Sequence, residues 1–296
     1  MMPIFFRNCR ARAALSVALV LATGAPAVAA DDAAQAAAVM NETVVPVPKP
    51  SAPGVKLETT IFRPDGRGPF PVAIINHGKA PGDPLFQARA RYLAATHEFV
   101  RRGYAVVIPM RQGFAGSGGP YEGAGCDIVL NARRQADDVE AVVGWLRKQS
   151  WADTTRIVVL GQSHGGLTTL AFGTRETPGV RALINFAGGL RLNECPWRAD
   201  LVSAFGTFGA GARVPSLWFY GENDSYFRPE LVAGMYNAYT KAGGKAKLVA
   251  YGPFGDDAHR LFGSADGVEM WVPEVERFLQ AAGLPSAARP PVARAP

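Results

Sequence analysis

Cysteine and histidine are scarce in this chain, with three of the first and four of the second in 296 residues. No His-x-His or Glu-x-x-His pair is present, so no zinc-ligand spacing can be written and a metallohydrolase is disfavoured. Lys and Arg form no cluster, and the formal net charge is only +6; this argues against a nucleic-acid surface. No apolar run is long enough for a membrane span, which needs about 20 residues. No segment repeats itself, which excludes a solenoid.

The scarce charge is also unevenly placed. Arg7, Arg10 and Arg12 precede an apolar run from Ala13 to Ala22, followed by Ala27-Val28-Ala29-Ala30 and Asp31-Asp32. A basic start, a short apolar centre and an Ala-x-Ala site read as a signal peptide over 1–30, cleaved near Ala29 or Ala30. The expected location is therefore periplasmic or secreted. These three arginines, with no acid among residues 1–30, account for half of the +6, so +3 remains after cleavage. The alanine-rich stretch 31–40 reads as a flexible leader, 41–284 as one domain, and the Pro/Ala/Arg-rich stretch 285–296 as a disordered tail. Cys9 goes with the signal, leaving Cys126 and Cys195. In an oxidising compartment that pair suggests a disulfide; two separate thiols are the alternative.

The remainder reads as β and α in alternation. Asn41 to Val47 and Val55 to Arg63 form a hairpin; Pro46 and Pro48 confine the first strand to an edge. Buried strands are expected at 72–76, 104–108, 157–162, 180–186, 216–220 and 247–251. Helices are expected at 86–102, 131–149, 229–242 and 268–282, with a long Gly-rich loop at 109–127. The stretch 188–213 reads as irregular, with a short helix over 198–205. Eight strands, six of them largely apolar and alternating with helices, predict a mostly parallel sheet covered by helices on both faces, with functional groups at the strands' C-terminal ends.

One stretch carries the chemistry. Ile157-Val158-Val159-Leu160 runs into Gly161-Gln162-Ser163-His164-Gly165, and a small-residue helix follows. This is a strand, a sharp turn and a helix, with the serine exposed on the turn and glycines where a Cβ would clash. Serine alone is a poor nucleophile and needs a base with an orienting acid. His97 falls within a helix, and His164 adjoins the serine with its side chain directed away. His77 ends a strand, whereas His259 follows every other candidate group in a loop after the last strand. His259 is therefore the expected base. Asp224 in Gly221-Glu222-Asn223-Asp224 is the expected acid, with Glu222, Asp256 and Asp257 as rivals. An oxyanion hole needs two N–H donors. The backbone of His164 supplies one, and that of Lys79, after Asn76-His77-Gly78, the other. Phe114, Tyr121 and Trp197 lie in loops expected to overhang Ser163, and are candidate substrate contacts. A Cys126–Cys195 bond would tie those loops together.

These motifs resemble the α/β-hydrolases over 41–283. Within that superfamily the chain is similar to the dienelactone hydrolase and prolyl-oligopeptidase-like esterase group. The resemblance rests on Phe70-Pro71, Ile74-Ile75-Asn76-His77-Gly78, Arg102-Gly103-Tyr104-Ala105-Val106, Gly113 to Gly119, the Ser163 elbow, Gly221-Glu222-Asn223-Asp224 and His259. It implies an α/β-hydrolase fold without a large cap domain, and ester hydrolysis through an acyl-enzyme with neither metal nor organic cofactor. Dienelactone hydrolases carry cysteine where this chain has Ser163, which favours an ordinary ester. The group's Pro-Asp-x-Arg-Gly is here Pro109-Met110-Arg111-Gln112-Gly113. The open site suits a small-molecule or polymeric ester, with neither nucleic acid nor membrane insertion involved. A peptidase or acyltransferase with the same triad, and a non-catalytic binding protein on the same fold, are the alternatives.

Overall fold

The computed structural model describes residues 40–289; the signal peptide expected over 1–30 and, but for Met40, the leader expected over 31–40 lie outside them. Eight strands form one sheet: β1 (Thr43–Pro48), β2 (Lys56–Phe62), β3 (Phe70–Asn76), β4 (Ala105–Pro109), β5 (Ala152–Gln162), β6 (Val180–Phe186), β7 (Ser216–Gly221) and β8 (Ala246–Tyr251). Their order is β1-β2-β4-β3-β5-β6-β7-β8. The β1–β2 and β2–β4 pairs are antiparallel and every other pair is parallel. Pro46 and Pro48 lie on the edge strand β1, where a missing N–H costs no ladder bond.

Among the described residues six α-helices cover the sheet: α1 (Leu93–Val100), α2 (Ile128–Leu146), α3 (His164–Phe172), α4 (Trp197–Gly211), α5 (Pro229–Lys241) and α6 (Val268–Ala281). The buried strands are mostly apolar, and their apolar residues alternate between two separate cores. Ile74, Val107, Val159, Leu183 and Trp218 meet α2, α3, α4 and α5 on one face. Ile75, Val106, Leu160, Ile184 and Phe219 meet α1 and α6 on the other. This is the period-2 rule operating inside a sheet buried on both sides.

Three expectations are corrected. The helix expected from Phe86 to Arg102 begins only at Leu93, after a single 3-10 turn at Pro84–Phe86. Tyr92 has φ +42°, which breaks any continuous helix, and Arg89 and Arg91 are drawn to Glu42. The stretch 188–213, read as mostly irregular, carries the 15-residue helix α4; its Gly content hid an apolar face of Leu201, Ala204, Phe205 and Phe208. Of the tail expected to be disordered over 285–296, residues 290–296 lie outside the described residues, and 285–289 are held. Tyr104 donates to Pro285 O, Arg102 to Ser286 O, and Arg289 N to Arg101 O. Among the described residues no helix is long and apolar enough to cross a membrane.

Candidate active site

The parallel topology delivers four loops to one edge, those following β3, β5, β7 and β8. They carry Lys79, Ser163, Asp224 and His259 respectively. Ser163 sits between β5 and α3 with φ +56° and ψ −124°, a strained conformation for any residue with a Cβ. The flanking glycines make the elbow possible. A Cβ on Gly161 would lie 2.3 Å from Gly165 O, and one on Gly165 would lie 2.0 Å from Asn76 O.

Asp224 is buried, and its carboxylate is fully committed. Oδ1 accepts from the N–H groups of Tyr226 and Phe227 at 2.8 and 2.9 Å. Oδ2 lies 3.0 Å from His259 Nδ1. Nδ1 therefore carries the proton and Nε2 keeps a free lone pair. The Tyr226 ring lies over His259, with centroids 4.5 Å apart. Gln162, next to the serine, donates to His259 O at 3.1 Å and ties the elbow to the His259 loop. No hydrogen bond joins Ser163 Oγ to His259 here, but both line one cavity; such contacts commonly tighten only around substrate.

The rival acids are turned elsewhere. Asp257 Oδ1 accepts from the N–H groups of His259 and Ser225, and Oδ2 from Ser225 Oγ. Burial raises its pKa, but the Ser225 hydroxyl and these N–H groups outweigh burial and hold it below the ordinary value. Glu222 and Asp256 are exposed.

The turn after β3 leaves one N–H free. Gly78 N donates to Tyr92 Oη at 3.2 Å, and Ala80 N to Gln87 Oε1 at 2.9 Å. Lys79 N, between them, has no acceptor among the described residues, and neither has His164 N at the start of α3. Both residues border the cavity that contains Ser163. The structure thus presents two unused donors beside Ser163, the arrangement an oxyanion hole would need.

Ser163 stands where two cavities meet. One, of about 820 Å³, is bordered by Tyr121, His164, Leu190, Leu192, Phe227 and both cysteines. The other, of about 730 Å³, is bordered by Phe86, Gln87, Tyr92, Gln162, Tyr226 and His259. Cys126 and Cys195 are bonded, with Cα atoms 5.7 Å apart, so the disulfide joins the loops that wall the larger cavity.

Of the three aromatic residues expected over Ser163, only Tyr121 reaches the cleft. Phe114 is fully buried, packed edge-on to His77 at 4.6 Å and under the Arg111 guanidinium at 5.2 Å. Trp197 is the first residue of α4 and packs behind Phe227 at 6.4 Å. Both rings are apolar surface that the loops need for their own cores. Tyr92, Gln87 and Tyr226 take the cleft positions instead. Only the absence of apolar periodicity at 87–92 could have pointed to the first two.

The fold and this edge define an α/β-hydrolase of the esterase and peptidase type. Within that class the chain belongs to the X-Pro dipeptidyl-peptidase (S15) family, whose pattern matches residues 53–210. It is 31% identical to the cocaine esterase of a Rhodococcus species over 150 residues, which is 50% of this chain but only 24% of that protein. Among solved structures it resembles a Klebsiella pneumoniae protein assigned as a dienelactone hydrolase, with TM-score 0.58 and 18% identity over 81% of this chain and 98% of the other. It also resembles an esterase of Pyrococcus furiosus, with TM-score 0.61 and 17% identity over 82% and 93% of the two chains. An acylaminoacyl peptidase of Pyrococcus horikoshii gives TM-score 0.60 and 14% identity over 85% and 43%. At these identities the structural likenesses speak for the fold alone.

Proposed function

We propose that this chain is an exported serine esterase that cleaves carboxylic esters through an acyl-enzyme on Ser163. The observation that carries the reading is the Asp224–His259 pair at 3.0 Å, set at the same sheet edge as a strained serine and two unused N–H donors. His259 Nε2 takes the Ser163 proton as Oγ attacks the ester carbonyl. The carbonyl oxygen becomes an anion, and the N–H groups of Lys79 and His164 donate to it. As the intermediate collapses, His259 returns the proton to the leaving alkoxide and the acyl group stays on Oγ. Water then repeats the cycle, giving its proton to His259 and releasing the acid. The leaving oxygen must face His259, so the cavity it borders takes the alcohol part and the larger one the acyl part. The Cys126–Cys195 bond supports an oxidising compartment, as the expected signal peptide does.

The test is hydrolysis of short p-nitrophenyl esters by the chain lacking 1–30, beside Ser163→Ala and with a serine-reactive phosphonate. Turnover and labelling at Ser163, both lost in the alanine variant, are expected. Absence of labelling and turnover together would sink the reading.

The family membership favours a second reading, cleavage of an amide bond after an X-Pro dipeptide by the same groups. Gly-Pro-p-nitroanilide separates the two. Turnover of the anilide at a kcat/KM above that of every short ester would make the peptidase reading the correct one.

A further inference from the structure

Beneath the elbow lies a buried cation that the triad does not use. Arg111 lies two residues after β4 and is fully buried. Its Nη1 donates to His77 O at 2.7 Å, its Nε to Gln135 Oε1 at 3.0 Å, and its Nη2 lies 3.2 Å from His164 Nδ1. Its own backbone N–H donates to His77 Nε2 at 3.1 Å. Among the described residues no carboxylate lies within ion-pair distance of the guanidinium. The nearby acid Asp138 is held instead by Lys49 at 2.9 Å and by the N–H of Gln112. A charge this deep, without a counter-ion, is costly to fold and calls for a reason.

The contacts supply one. His77 O lies two residues before the free N–H of Lys79, and His164 carries the other free N–H on its own backbone. One guanidinium thus grips both loops of the oxyanion hole from behind. It also fixes both rings. With a donor facing His77 Nε2, that ring is protonated on Nδ1 and donates to Gly78 O at 2.6 Å, which orients the peptide group that carries the Lys79 N–H. With a donor facing His164 Nδ1, that ring is protonated on Nε2 and donates to Asn131 Oδ1 at 2.7 Å. Burial draws Arg111 down to about 10, which still leaves it charged at neutral pH. A fixed, buried positive charge beside the donors favours the state in which negative charge appears in front of them.

We propose that Arg111 is the positioning residue of the oxyanion hole, holding the Lys79 and His164 N–H groups in register and meeting the intermediate's negative charge with its own. The proposal rests on the serine-hydrolase reading of this edge. It is tested by the rate at which a phosphonate labels Ser163 and by kcat and KM on p-nitrophenyl acetate, for wild type, Arg111→Lys and Gln135→Met. The lysine keeps the charge and loses the fork; the methionine removes one of the fork's tethers from outside the hole. For Arg111→Lys, labelling rate and kcat should both fall about 100-fold, with KM within about threefold and full labelling at the end point. For Gln135→Met, a smaller fall in the same two quantities is expected, and it stands as the test should Arg111→Lys not fold. Rates within about threefold of wild type would overturn the proposal and leave the serine reading standing. A fall explained by fewer labelled molecules would overturn it too, because that marks a purely structural role. A wild type that does not label overturns both.

Discussion

Asp224 and Asp257 show how residues of one type, both near His259, are set to different tasks. Asp224 gives one oxygen to two N–H groups and the other to the imidazole. Asp257 spends both oxygens on Ser225 and on the backbone of His259. Asp224→Asn should therefore lower kcat by about 10³- to 10⁴-fold with little change in KM, because an amide favours the wrong imidazole tautomer. Asp257→Asn should cost less than about tenfold. Steady-state kinetics on one ester compares them, and a larger loss for Asp257→Asn would reassign the orienting acid. Lys79 separates backbone from side chain in the same way. Lys79→Ala keeps the N–H and should leave kcat within a few-fold. Lys79→Pro removes it and should lower kcat by about 10²- to 10³-fold. Equal effects of the two would mean that the ammonium group, not the amide, contributes.

At the scale of elements, the site depends on how β3, the loop after β4 and the start of α3 interlock. His77 follows β3 and His164 begins α3, and both are buried. Burial first, and then the Arg111 charge, hold both imidazoles well below the ordinary histidine range. In the unfolded chain both return to about 6.5. Below that pH the unfolded chain takes up protons that the folded one refuses. The stability from these two neutral rings is thus fully present above about pH 6.5 and is lost as pH falls. Urea unfolding between pH 7.5 and 5 should show a loss approaching about 1.4 kcal/mol per pH unit for each ring. A flat profile would mean that the folded chain accepts the protons and that the Arg111 contacts rearrange.

At the scale of the molecule, the disulfide closes a loop with a sequence separation of 69 and binds the segment after β4 to the segment after β6. Peptide mapping without reduction should recover a Cys126–Cys195 cross-link. Reduction, or Cys126→Ser, should lower the unfolding free energy by about 4 kcal/mol. Because the bond walls the larger cavity, the same change should raise KM for esters with bulky acyl groups more than for acetate. An equal change for both would place the acyl group elsewhere.

Much of this was legible in the sequence for reasons that are local. The strand, glycine, serine, glycine and helix of the Ser163 elbow allow one geometry, because a Cβ on either glycine would meet backbone. The alternation of apolar strands with helices leads to a parallel sheet, and chain order leaves His259 as the last available base. Tertiary structure decided what depends on packing between segments far apart in sequence. It showed which acid faces His259, which is set by a three-residue turn holding Asp224 Oδ1. It sent Phe114 and Trp197 into cores while Tyr92, Gln87 and Tyr226 came to the cleft. It also drew Arg111, His77 and His164 into one buried network. No periodicity records such a network, since its hydrogen bonds join β3, β4 and α3 only after the sheet has brought them side by side.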